Sequence, residues 1–245
     1  MSILIIPFSL LVGVLIGSVG IGGVLLVPIL TYVFDFDIHG AIAVAMFGYL
    51  FTGFVGLIIY GKHGSIDWSM AFWLICGAMP GAFLGSILVS ITPGQWLEFL
   101  IAAFLFFSSG KAFFSDQKEY KHGSKLSQLS LLSIGIITGI GSALSGTGGP
   151  LVLVPVMVFL KVTTHTAIGL SQAVQLPVAG LASIGNVIYG QIDWFVAGIL
   201  GVSLAFGGAV GGYLAHLVPE KYMSKLMAWV LFLVGCFVLS RSLLP

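Results

Sequence analysis

"SVGIGGVLLVP" (Ser18–Pro28) and, 126 residues later, "LSGTGGPLVLVP" (Leu144–Pro155) decide how this chain folds. Both lie inside long apolar runs, where a helix would be expected to continue unbroken. Glycines that lose backbone entropy on folding, followed by a proline that lacks an N–H, make poor helix interior. Each stretch therefore predicts a break at a defined place, and the chain makes that break twice.

Composition sets the environment of those breaks. Apolar residues are 58% of the 245 and charged residues only 7%, and mean hydropathy is +1.15. A soluble domain carries roughly a quarter of its residues charged. Apolar runs recur near 3–19, 41–60, 68–91, 95–114, 126–145, 166–189, 194–217 and 221–243, and runs of about 20 residues cross a hydrocarbon core of about 30 Å. The expected class is an all-α polytopic membrane protein. A transmembrane barrel would instead show alternating segments of about ten residues. The N-terminal run lacks a positive leading region and belongs to the repeat below, so it reads as a retained helix rather than a signal peptide.

Net charge is +1 with no basic stripe, which excludes nucleic acid as a partner. Cys76 and Cys236 both stand alone in apolar segments and read as packing residues, not as a disulfide or metal pair. Neither a metal-ligand cluster nor a cofactor-binding motif is expected. With no ATP-binding motif, ATP-driven transport would require another subunit.

An offset of 126 residues superimposes the two halves. Gly13, Gly20, Gly22 and Gly23 fall on Gly139, Gly146, Gly148 and Gly149. "HGAI" (His39–Ile42) falls on "HTAI" (His165–Ile168), and "GSIDW" (Gly64–Trp68) on "GQIDW" (Gly190–Trp194). Gly81, Gly85 and Pro93 match Gly207, Gly211 and Pro219, while Pro28 slips by one to match Pro155. Such coincidence at one spacing indicates duplication. The expected organisation is a first transmembrane repeat (1–110), a polar linker (111–125) placed in the cytoplasm, and a second transmembrane repeat (126–245).

Basic residues arbitrate the orientation of the halves, because short cytoplasmic loops concentrate Lys and Arg. If each broken segment crosses once, the nine basic residues divide six inside and three outside. If each is a hairpin returning to its starting side, Lys62, Lys161, Lys221 and Lys225 join the linker and the division is eight to one. The second arrangement is two inverted repeats, each a broken-helix hairpin plus three transmembrane helices. This is a construction plan of secondary transporters.

Backbone freed by a break cannot face lipid unpaired, so it must line protein or a water-filled cavity. A helix starting at Gly23 or at Gly149–Pro150 would aim unpaired N–H groups and a partial positive charge into the break, which suits an anion. The expected substrate-binding residues at the tips are Gly22 and Gly23 in the first half, and Ser145, Thr147, Gly148 and Gly149 in the second. Ser18 and Ser142 add hydroxyls beside them. Downstream, Ser171, Gln172 and Gln175 share one helical face, continued by Asn186, where the first half carries Ala45, Met46 and Tyr49. Intramembrane glutamine is costly unless bonded, so these residues either contact ligand or tie helices together. His39 and His165 occupy equivalent segment starts and are candidates for carrying a coupling proton, or for simple helix entry. Asp67 and Asp193 have the pattern of N-caps beside interfacial tryptophans. Gly77, Gly81 and Gly85 with Ser203, Gly207 and Gly211 form small-residue strips for close helix packing.

The doubled "GIGG…P" and "SGTGGP…P" signature, the downstream "HTAIGLSQ" and the "GxIDW" element resemble the sulfite exporter TauE/SafE family over essentially the whole chain. The first tip departs from the pattern, reading "GIGGV" where the family commonly has a further glycine. The resemblance implies a bacterial or archaeal inner-membrane carrier for sulfite, sulfonates or related small sulfur-containing anions; the expected function is a secondary carrier, not an enzyme, and H+ or Na+ are the candidate coupling ions. A homo-oligomer is compatible with this reading. A passive anion channel is the alternative. An intramembrane serine protease has only "ALSG" (Ala143–Gly146) with His165 or His216 to support it, and the rhomboid-type motif carries Gly where Ala143 stands.

Overall fold

The computed structural model describes residues 2–20, 23–113, 126–189 and 192–217, together with single positions 225, 229, 232, 233, 235–237 and 240. Gly22, linker residues 114–125 and most of the expected last segment, 221–243, lie outside the described residues. The described elements are helices: α1 (Ser2–Val19), α2 (Gly23–Val33), α3 (Ile38–Lys62), α4 (Trp68–Ile91), α5 (Gly94–Phe113), α6 (Gln128–Ser145), α7 (Pro150–Phe159), α8 (Thr164–Tyr189) and α9 (Trp194–Ala215). Five of them, α3, α4, α6, α8 and α9, are long and apolar enough to cross a membrane.

Both expected breaks occur. The run from 3 to 34 is α1 followed by α2, with the chain turning through a left-handed Gly20. The run from 126 to 159 is α6 followed by α7, turning through Gly146, Gly148 and Gly149, all at positive φ. Helices α2 and α7 have 11 and 10 residues. At 1.5 Å per residue these reach about 15 Å, half a hydrocarbon core. The ring of Phe8 on α1 meets Phe34 beyond the end of α2, edge to face at 6.1 Å, so α2 runs back alongside α1.

Two seams of small residues hold the bundle together. A Cβ on Gly17 would lie 2.2 Å from the Gly208 carbonyl oxygen, and one on Gly207 would lie 2.2 Å from that of Leu10. In the other seam a Cβ on Gly77 would lie 2.1 Å from the Leu132 oxygen, and one on Gly139 would lie 2.2 Å from that of Ala78. Only glycine permits backbones this close, as membrane helices packed without a hydrophobic drive require. The α1–α9 seam and the α4–α6 seam exchange under the 126-residue offset.

The directions within these contacts are informative. Along α1 and α9 residue numbers rise together, Gly13 meeting Leu204 and Gly207, and Gly17 meeting Gly208 and Gly212. They also rise together along α4 and α6, where Gly77 meets Leu132 and Gly85 meets Ile140. Along α3 and α8, which are equivalent helices, the numbers run oppositely: Leu50 lies against Gly180, Gly53 against Leu176 and Gly56 against Gln172.

Asp67 accepts from the Ser69 and Met70 amides, and Asp193 from those of Phe195 and Val196, so both are N-caps as expected. Trp68 and Trp194 beside them are exposed. Cys76 and Cys236 are free thiols, but both are exposed on the outer surface rather than packed in the core. The outer face of an apolar helix in a bilayer tolerates a thiol as well as the core does.

Candidate functional site

The two breaks meet in the centre of the bundle. A Cβ on Gly23 would lie 2.8 Å from the Thr147 carbonyl oxygen, and one on Gly146 would lie 2.7 Å from Val27 Cγ2. The reciprocal contact places Gly20 against Ile168 and Val154. Each turn thus packs on the other half: Gly146 against Val27 and Ile42, Gly20 against their repeat equivalents Val154 and Ile168.

The second tip is built from conformations that favour glycine. Gly146 closes α6 at φ 63° with its amide on the Ala143 and Ser142 carbonyls. Gly148 follows at φ 75° and Gly149 at φ 122°, positions where a side chain would be strained. Pro150 then starts α7, and no side chain caps that helix. Around it lie buried hydroxyls. Ser145 Oγ donates to the Gly141 carbonyl and meets Thr147 Oγ1 at 2.8 Å. Ser142 Oγ is fully buried with no hydrogen-bond partner, 3.7 Å from where a Gly149 Cβ would stand. Thr138 Oγ1, one turn earlier, is likewise buried and unpartnered.

Helix α8 brings the polar face predicted for it. Ser171, Gln172 and Gln175 are buried, and Gln175 Cα is 3.9 Å from the Gly149 Cβ position. Both glutamines reach across to the first half. Gln172 Nε2 donates to the Ile16 carbonyl at 3.0 Å, and Gln175 Nε2 donates to Thr52 Oγ1 at 2.6 Å and the Tyr49 carbonyl at 3.3 Å. Their donor ends bind protein while Oε1 of each is buried without a partner. Ser171 Oγ donates back to the Ile168 carbonyl. Asn186 also has a buried, unpartnered Nδ2.

Reasoning from sequence missed Tyr49. Its hydroxyl donates to the Gly23 carbonyl at 2.7 Å, and its ring lies against Gly148, where a Cβ would be 2.7 Å from Cδ2. One phenol therefore touches both tips. The 126-residue offset that pairs Tyr49 with Gln175 is the signal in the sequence that points to it. Thr52, the hydroxyl that Gln175 binds, was not singled out either. Ser18, expected to face the first tip, bonds back to the Val14 carbonyl.

The two histidines sit away from the tips, at opposite ends of the antiparallel α3–α8 pair. His39 Nε2 bonds to the Thr92 carbonyl at 3.1 Å, with the Asp37 carboxylate 4.0 Å from Nδ1. His165 Nε2 bonds to the Ala215 carbonyl at 3.1 Å and stands beside His216. Ser145 has Gly141 and Thr147 as its partners, and His165 lies 20 residues further along the chain.

The family model described as Sulfite exporter TauE/SafE matches residues 5–238. A probable membrane transporter protein of Bacillus subtilis, YdhB, is 29% identical over 231 residues, covering 91% of this chain and 94% of its own. One from Methanocaldococcus jannaschii is 26% identical, covering 97% of this chain and 96% of its own. One from Xylella fastidiosa is 25% identical, covering 95% and 92%. No solved structure matches the chain.

Proposed function

The chain belongs to the sulfite exporter TauE/SafE family and is a membrane transporter, not an enzyme, and from that premise we propose that it is a secondary carrier exporting a small sulfur-containing anion, such as sulfite or an organosulfonate, across the inner membrane. The anion sits where the two broken-helix tips meet. The observation that carries this reading is the buried, unpartnered Ser142 hydroxyl beside the positive-φ glycine turn that leads into α7. The positive end of the α7 dipole faces that turn, and a buried hydroxyl lacking a partner leaves a donor for a guest. Around it stand the backbone at Gly23, Gly148 and Gly149 and the Ser142, Ser145 and Thr147 hydroxyls, while Ser171, Gln172 and Gln175, whose donors are bonded to Ile168, Ile16, Thr52 and Tyr49, tie α8 to its neighbours behind the tips. No fixed counter-ion is among them, which suits a ligand that must be released.

The architecture behind this is two inverted repeats, 1–110 and 126–245, joined by a cytoplasmic linker at 111–125. Support comes from the opposite running of the equivalent helices α3 and α8, and from the parallel α1–α9 and α4–α6 seams. These directions make α1 and α3 run the same way, which requires the intervening α2 to return. The hairpin reading, with its eight-to-one division of basic residues, then puts the C-terminal ends of α3 and α9 and the start of α8 in the cytoplasm. A cytoplasmic C-terminus, reported by a fused tag, would contradict it.

Proteoliposomes carrying a sulfite or sulfonate gradient test the function. Wild-type protein is expected to move the anion. Gly148→Leu places a side chain at φ 75° against the Tyr49 ring and is expected to abolish flux. Equal flux in both would remove the tips from the mechanism, and flux that follows the anion gradient alone would mark a channel. Thermal stabilisation of the purified protein by sulfite, thiosulfate, taurine, sulfoacetate or sulfate identifies the ligand.

A further inference from the structure

Three of the five histidines come together at one end of the bundle, from three different helices. His63 follows the last residue of α3 and His216 the last residue of α9, and their rings stack at 3.9 Å and 20°. The His165 ring, from the first turn of α8, is 5.6 Å from that of His216. The Tyr60 ring packs on His216 at 4.9 Å, and Tyr213 meets His63 at 6.3 Å.

The hydrogen bonds fix where protons sit in the neutral cluster. A carbonyl can only accept, so the nitrogen facing one carries the hydrogen. Nδ1–H of His63 therefore donates to the Ile59 carbonyl, and Nδ1–H of His216 to that of Gly212, both at 2.8 Å. Nε2–H of His165 donates to the Ala215 carbonyl. His216 Nε2, 3.3 Å from Ser65 Oγ, is then the acceptor of that hydroxyl and a lone pair open to a proton.

We infer that His63, His165 and His216 form one proton-binding site on the cytoplasmic face that holds a single proton and makes H+, rather than Na+, the coupling ion of the transport proposed above. The inference rests on that transport reading and deepens it.

Two rings stacked at 3.9 Å cannot both be charged without strong repulsion. One positive charge, in contrast, faces the negative C-terminal ends of α3 and α9 together. Burial first, and then the charges of His63 and His165, lower the affinity of His216 below its ordinary 6.5, with the Gly212 carbonyl acting the other way. Protonation of His216 is thus favoured only as the local pH falls below that ordinary value. Other titratable groups facing it are Tyr60 of α3 and Tyr213 of α9. Lys62 on α3, Asp67 ahead of α4 and Lys161 ahead of α8 are the charges of the neighbouring ends, and all three are exposed.

The cluster is wired to the tips. Exposed His63 offers the water-facing entry, and half-buried His165 the inner edge. His165 and Gln172 are seven residues apart on α8, two turns and on the same face. Tyr60, whose ring covers His216, donates its hydroxyl to the Gly17 carbonyl at 2.8 Å. Gln172 grips the adjacent Ile16 carbonyl. The proton site and the α8 polar face therefore hold the same last turn of α1, just ahead of Gly20.

The test uses the full chain in proteoliposomes, with sulfite flux followed under an imposed pH gradient or an imposed Na+ gradient. The pH gradient is expected to stimulate wild-type flux at least about tenfold and the Na+ gradient to have no effect. His216→Asn and His63→Asn, which keep a side-chain donor for the carbonyl four residues back, are expected to lose that stimulation while sulfite still stabilises the purified protein. Stimulation by Na+ alone, or full pH stimulation in both variants, would overturn the inference. Absence of flux and of stabilisation in the wild type would instead overturn the transport reading. If the variants do not fold, histidine NMR of the wild type decides. Uptake of one shared proton between about pH 7.5 and 5 supports the site, and three independent titrations near the ordinary histidine value refute it.

Discussion

The two helix breaks share one glycine pattern at an offset of 126 residues and differ in their chemistry. In the second, Gly146, Gly148 and Gly149 all adopt positive φ, and Ser142, Ser145 and Thr147 surround them, each buried. In the first, Gly20 turns the chain at φ 78°, Ser18 bonds back onto its own helix, and the Gly23 carbonyl is held by Tyr49 from α3. The helices packed behind the tips differ in the same sense. Ser171, Gln172 and Gln175 of α8 stand where α3 has Ala45, Met46 and Tyr49. The glycines recur at both breaks, while the polar groups stand mostly in the second half.

The reciprocal packing of the tips offers the largest way to break this comparison. Gly20→Ala and Gly146→Ala both force a left-handed side chain, a strain of about 1–2 kcal/mol. At Gly20 the new Cβ finds ordinary contacts at 3.4 Å. At Gly146 it would lie 2.7 Å from Val27 and 2.9 Å from Ile42, adding about 1–3 kcal/mol of overpacking. Thermal unfolding in detergent is expected to show Gly146→Ala clearly the less stable of the two. Equal midpoints would mean that the tips do not interlock as described.

Much of this was legible in the sequence, and the reason it was legible is specific. Glycine and proline mark breaks by sterics alone, so α2 and α7 could be read as separate short helices before any contact was known. The 126-residue offset carried the small-residue strips, because backbones in contact demand small residues, but which helices those strips join came only from the packing. The α8 polar face was readable because glutamine in an apolar helix has no other place to go. Tyr49 was not, since a tyrosine is apolar body and polar tip at once, and its role depends on where the hydroxyl reaches across the fold. The histidine cluster was half visible. His165 stood out through its repeat partner His39, but His63 and His216 lie 153 residues apart and only the packing of α3 on α9 brings them together.

A smaller effect sharpens the comparison at the ligand. Ser142 Oγ is buried and unpartnered, and its equivalent in the first half is Ile16, so the first half already tolerates an apolar side chain there. Ser142→Ala removes a hydroxyl that makes no hydrogen bond within the protein, and stability is expected to stay level or rise slightly. If the hydroxyl donates to a bound anion, affinity should fall about tenfold, the value of roughly 1.4 kcal/mol for one hydrogen bond to a charged group. Titration of the stabilising anion against both proteins reads the two effects separately. Unchanged affinity would place the anion away from α7.

The smallest expected effect contrasts the two membrane ends through their histidines. His39 has a carboxylate, Asp37, at 4.0 Å, whereas His165 and His216 have each other and His63. The affinity of His216 for a proton is lowered in the fold, first by burial. Between that lowered value and the ordinary 6.5, the unfolded chain binds more protons than the folded one at this position. Stability contributed by neutral His216 is therefore complete above 6.5 and declines as pH falls through that window. The thermal midpoint of the wild type should drop on acidification below about pH 6.5, and His216→Asn should flatten that part of the profile. A profile that keeps its slope in His216→Asn would assign the acid sensitivity to other groups and leave the two ends of the molecule electrostatically alike.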